Sequence, residues 1–129
     1  MKHYHIGDIL SVTTGKLVST RLVDGVYDIL AYMTGESPYT HQLGRFMDEC
    51  RPHLLRQHPA LAEVTGDEVT TANWRDWLGE QIEKHGATLP VTPIPRDDHA
   101  ERDPIEELRT MAPNASPGTR LDIARGSWR

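Results

Sequence analysis

Ser19–Met33, STRLVDGVYDILAYM, is the stretch whose periodicity settles the fold class. Leu22, Val26, Ile29, Leu30 and Met33 recur three or four residues apart and so share one face of a helix, which Val23 and Tyr27 widen. Ser19 or Thr20 can cap its start, and Gly35 can close it in the left-handed region. Gly25 costs about 1 kcal/mol relative to Ala within a helix, which points to close approach of another backbone or a small distortion there.

Outward from this helix, Glu36-Ser37-Pro38-Tyr39 is turn material, because Pro38 fixes its own φ and keeps Ser37 out of the helical region. Thr40 is placed to cap a second helix whose apolar face carries Leu43, Phe46, Met47, Cys50 and Leu54. Pro52 falls inside it, so a kink or a restart is expected before the segment ends at Pro59. On the N-terminal side, residues 3–15 fit either a strand leading into a hairpin with Leu17-Val18, or a short helix closed by Gly15. The preference is for the helix, against the β-branched Val12, Thr13 and Thr14.

Beyond a polar connection over 60–70, Trp74, Trp77, Leu78 and Ile82 make the apolar face of a third helix closed by Gly86. Leu89–Pro95 alternates apolar residues with prolines and is expected as an extended surface strap, too Pro-rich for a central strand. Asp103-Pro104-Ile105-Glu106 starts a short helix, with Asp103 as cap, Pro104 in the first turn and Glu106 able to reach back. The expectation is one mainly α domain over residues 4–112, a compact bundle of about four helices with a Pro-rich strap. The alternative is α+β with a small N-terminal hairpin. Residues 113–129 read as a flexible tail bearing scattered arginines.

The chain has 129 residues, a formal charge of -5 and a single cysteine. Acidity argues against broad phosphate-backbone binding and favours solubility or a basic protein surface as partner. One Cys allows no intrachain disulfide, no apolar run reaches membrane-span length, and the start lacks a signal-peptide core, so the expected compartment is the cytoplasm.

Cys50-Arg51-Pro52-His53 sets a thiol before a proline-initiated turn and beside an imidazole, as a nucleophile would need, yet Cys50 also lies on the apolar stripe, where an inert thiol belongs. The seven histidines form no recognised ligand spacing, so neither metal nor cofactor is expected, and Asp97-Asp98-His99 reads as a solvated turn. Ser11 or Ser19 with His41 and Asp24 or Asp48 could be assembled into a triad only by choice. Thr13-Thr14-Gly15-Lys16 lacks the spacing of a phosphate loop. Pro38–Gln42 differs in kind, since it sets an aromatic ring, an imidazole and an amide at a helix entrance with free backbone donors. Tyr39, Thr40, His41 and Gln42 are therefore the candidate binding residues, continued by Arg45, Asp48 and Glu49 on the polar side of the helix. That side, with Arg51 and Arg56, is also what a solvated face would look like.

Gly7–Gly15, Asp24–Leu30, Thr40–Leu43 and Cys50–Pro52 together resemble short uncharacterised proteins carried by bacteriophages, prophages and plasmids. The resemblance implies a bacterial or phage cytosolic setting and transfers no catalytic residue. Small proteins of that class are often inhibitors or adaptors of host machinery. The leading expectation is thus a non-enzymatic, phage-associated protein that binds and modulates a host or phage complex, such as a defence system. The alternatives are a small hydrolase-like or thiol-dependent enzyme using Cys50 or His41, and a nucleic-acid adaptor acting through the arginine-bearing tail.

Overall fold

The computed structural model describes residues 1–110 and, as backbone alone, residues 111, 121–122 and 127–128. In chain order these form β1 (Lys2–His5), α1 (Ile6–Thr14), α2 (Val23–Thr34), α3 (Leu43–Gln57), α4 (Trp74–His85), β2 (Thr88–Val91), α5 (Pro104–Met111) and a short ribbon of β3 (Leu121–Asp122) with β4 (Ser127–Trp128). The fold is mainly α, with five helices among the described residues and a small antiparallel β1–β2 pair. The expected flexible tail falls, apart from the β3–β4 backbone, on residues outside those described.

Residues 6–14 are helical, and Gly15 closes α1 at φ 76°. The strand that the sequence also allowed is the four residues before it. It pairs with 88–91 rather than with 17–18, matching Lys2 to Val91 and His5 to Thr88. A two-stranded sheet consists only of edges, so Pro90 can stand in it without breaking a ladder.

α1 is the centre of the bundle, packing against α2, α3 and α4. Ile6, Ile9, Leu10 and Val12 meet Val26, Ile29, Leu30 and Met33 of α2, and Leu43, Phe46, Met47, Cys50 and Leu54 of α3, in one buried cluster. Each such side chain contributes about 1.5–3 kcal/mol on leaving water. Trp74, Trp77 and Leu78 extend the cluster from α4, while Val91 and Ile94 of the strap close its other side. The strap is held by backbone contacts: Ile94 N–H donates to the Met33 carbonyl at 3.0 Å, and Tyr32 donates to the Val91 carbonyl at 3.1 Å.

Three local expectations are corrected. α2 begins at Val23, with neither Ser19 nor Thr20 as its cap, because the Ser19 hydroxyl is drawn away to Asp8 and accepts the Arg21 N–H, which leaves Leu22 exposed at φ 56° instead of on the helical stripe. α3 runs through Pro52 without a restart. Proline there forfeits one hydrogen bond, to the Asp48 carbonyl, and the buried face on both sides keeps the helix going. Thr40 does not cap α3; a 3-10 turn over Thr40–Gln42 leads into it, and the Gln42 side-chain oxygen accepts the Tyr39 N–H at 3.0 Å.

No helix among the described residues is long and apolar enough to cross a membrane.

Candidate functional site

The expected corner exists, and segment 96–111 folds back onto it. Gly35 ends α2 at φ 77°, donating its N–H to the Ala31 carbonyl, and turns the chain toward Tyr39 and the entrance of α3. Gln42, held by its bond to Tyr39, is buried and donates through Nε2 to Glu107 Oε1 at 2.9 Å. Arg45, one turn further on, grips the same carboxylate with both arms of its guanidinium: Nε to Oε2 at 2.6 Å and Nη2 to Oε1 at 2.9 Å. Its Nη1 donates to Glu49 Oε2 at 2.7 Å and to the Ala100 carbonyl at 2.6 Å. A planar fork on a nearly buried carboxylate is the strong form of an ion pair. Each member shifts the other: the Arg45 hydrogen bonds hold the Glu107 carboxyl below its ordinary range, and Glu107 raises Arg45.

A second anchor lies beside the first. The His99 ring is buried edge-on against Phe46, with centroids 4.9 Å apart, and its nitrogens meet two carboxylates, Nδ1 with Glu49 Oε1 at 2.8 Å and Nε2 with Glu36 Oε1 at 2.9 Å. The two carboxylates thus bracket the ring, one at each nitrogen. The solvated-turn reading of Asp97-Asp98-His99 is corrected here: the two aspartates are exposed, but His99 is the plug that seats the segment.

The seven candidate residues therefore divide. Gln42, Arg45 and Glu49 are occupied inside the chain. Thr40 shares a hydrogen bond with Tyr27 at 2.9 Å, and His41 Nε2 meets the Pro104 carbonyl at 2.7 Å. Asp48 is exposed and paired with Arg51 at 3.1 Å. Tyr39 is 61% exposed, stacked on His41 with centroids 6.1 Å apart. Ile105, which follows the Pro104 that His41 holds, is 64% exposed. Local sequence gave no sign of His99, Ile105 or Glu107, because they reach the corner from about 60 residues away, nor of Glu36, whose partner is the distant His99; the Asp103 cap, which accepts the Ile105 N–H at 2.8 Å, was the one visible signal.

Another polar cluster centres on Asp8. Asp8 and Ser19 are buried and bonded at 2.5 Å, and Arg21 closes over them, with Nη2 to Asp8 at 2.6 Å and Nη1 to Asp28 at 2.9 Å. Tyr4 donates to Asp28 at 2.9 Å, and burial followed by that bond raises its pKa. The close approach expected at Gly25 is made by side chains, since a Cβ there would collide with Asp8 and Ser19. With Ser19 out of solvent's reach, the cluster fastens the 19–22 turn to α1 and α2. Cys50 is fully buried, and burial, followed by the nearby Glu49 charge, pushes its thiol up to about 12. The described residues hold no group of three or more His, Cys, Asp or Glu side chains suited to a metal ion.

Residues 4–64 match the model of a family described as Domain of unknown function (DUF7736). The match takes in α1 to α3 and all of the Asp8 cluster, and stops before α4 and the docked segment. No curated protein and no solved structure matches the chain.

Proposed function

We propose that this chain is an accessory protein that works by binding another protein, presenting Tyr39 and Ile105 from a corner held rigid by the Glu107–Arg45 and His99 anchors. The observation that carries this is the pair of large side chains left in solvent on an otherwise well-partnered corner. Burying an aromatic and an aliphatic anchor from a preorganised surface is how small interfaces gain most of their affinity. Around them segment 96–106 exposes Asp97, Asp98, Glu101, Asp103 and Glu106 against Arg96 and Arg102, so the complementary partner has a basic surface. The resemblance to phage and plasmid proteins makes a host or phage complex, such as a defence system, the first place to look. A thiol-dependent enzyme is disfavoured, since the Cys50 thiol is buried and held protonated. The tail proposed for nucleic-acid binding lies, apart from the β3–β4 backbone, outside the described residues.

The test is affinity capture from bacterial and phage-infected lysates, comparing wild type with the double variant Tyr39→Ala, Ile105→Ser. Both side chains are mostly in solvent, so the variant keeps the fold. A protein retained by wild type, released by added salt and lost by the variant supports the proposal. Equal capture by both forms, or no specific capture, removes it.

A further inference from the structure

At the other end of α3 from the Tyr39 corner, the chain turns through Pro59–Glu63 and a loop at 64–68 that packs against α4. Trp77 Nε1 donates to Glu68 Oε1 at 2.8 Å and ties that loop to the helix. Between them lies a half-open cleft of about 320 Å³, at the small end of the range for small-molecule sites. Gln81 lines it while only 5% exposed, and its side chain makes no hydrogen bond among the described residues. Among the described residues no side-chain nitrogen or oxygen is sealed away without a partner, so the amide atoms of Gln81, which lines the cleft, keep some access to solvent. A nearly buried amide with donor and acceptor both unspent is uncommon in a folded interior. The charges around it are of both signs: Glu63 and Glu68 line the loop side, while Lys84 and His85 line the helix side. Glu63 and His85 make no side-chain hydrogen bond or ion pair among the described residues, while Lys84 acts on Glu68 through its charge without a hydrogen bond.

We infer that this cleft binds a small zwitterion of the amino-acid class, whose ammonium faces Glu63 and Glu68, whose carboxylate faces Lys84, and whose polar atoms pair with the Gln81 amide. A bare anion such as phosphate would face two carboxylates, and a simple cation would face Lys84 and His85. A ligand carrying both charges satisfies both walls. The site shares no residue with the Tyr39–Ile105 surface, so either can fail alone.

The experiment is an NMR titration of the full chain with glycine, glutamate and lysine, reading the Gln81 side-chain amide and the Trp77 indole N–H. Glycinamide, which lacks the carboxylate, and N-acetylglycine, which lacks the ammonium, serve as single-charge probes. Expected is saturable movement of both signals with at least one amino acid in the millimolar range, and binding about tenfold or more weaker for both single-charge probes. Gln81→Leu, read at the Trp77 indole alone, should abolish the response; because Gln81 is buried, the exposed Lys84→Met provides a variant that does not threaten folding, and it should weaken binding about tenfold. Absence of saturation with all three amino acids overturns the inference. So does equal binding of glycine and its single-charge analogues, or an unchanged response in Lys84→Met.

Discussion

Truncating Glu107 to Ala removes the acceptor on which the docked segment turns. Three hydrogen bonds end on that carboxylate, two from Arg45 and one from Gln42, and the Arg45 and Glu107 side chains are only 17% and 4% exposed. Removing one partner of a buried pair costs about 3–5 kcal/mol, because the remaining charge stays desolvated and alone. Arg45 keeps Glu49 and the Ala100 carbonyl, so the expected cost is lower, about 2–3 kcal/mol, which corresponds to a roughly 30- to 150-fold rise in local opening. The opening should be confined to segment 96–111, since the core of α1 to α4 lies elsewhere. Native-state amide exchange at Glu107, whose N–H donates to the Asp103 carbonyl at 2.9 Å, reads it directly, with the Leu30 and Leu54 amides as internal standards for the core. A double-mutant cycle of Arg45→Met with Glu107→Leu should return a coupling of about 1–3 kcal/mol. Unchanged exchange at Glu107, or a coupling near zero, would refute the clamp and with it the rigidity assigned to the corner.

Acid should loosen the same segment. Because the Glu107 carboxyl is held low in the folded chain, its contribution is complete above the ordinary value of 4.5 and disappears as pH falls through the lower folded value, so a pH series of exchange or melting should show loss only in that acid window, and Glu107→Gln should flatten it. Cys50 behaves in the opposite sense: with its thiol raised from 9.0 to about 12, the stability it contributes is intact below pH 9 and is lost as pH climbs toward 12. In Cys50→Ala that alkaline component should be missing, and in wild type a thiol reagent should label no faster than the chain unfolds. Gly25→Ala should destabilise by about 1–2 kcal/mol, overpacking against Asp8 and Ser19 outweighing the roughly 1 kcal/mol gained in helix propensity, whereas Gly79→Ala in α4, where nothing lies within 4 Å, should stabilise by about 0.5–1 kcal/mol. Equal melting shifts of the same sign for the two variants would contradict the account of Gly25.

The positions that were legible are those governed by neighbours along the chain. The apolar stripes of α2, α3 and α4, the left-handed glycines at 15 and 35, the Asp103 cap and the inert placement of Cys50 all follow from periods of three to four residues and from what glycine and proline permit. The corner at 39–45 was legible as a place, because turn, ring and amide are contiguous there. Its use was not. Arg45 and Glu49 have the pattern of a solvated helix face, and only the return of segment 96–111 turns them inward to Glu107, Ala100 and His99. Asp8 is buried on α1, and its partners Ser19 and Arg21, with Asp28 beyond them, are assembled by the packing of α2 on α1.

From its sequence alone, then, the chain determines a helical bundle, where most of its helices stop, and which faces they bury, because those depend on local dihedral preference and on the removal of apolar surface from water. Tertiary structure alone decided which charged side chains are spent inside the molecule and which face outward. Hydrogen bonds between groups dozens of residues apart carry no sequence periodicity, and they become specific only when packing brings donor and acceptor together. On that basis Gln42, Arg45 and Glu49 moved from candidate contacts to internal braces, leaving Tyr39 and Ile105 exposed at one end of α3 and Gln81 unpaired in the cleft beyond the other.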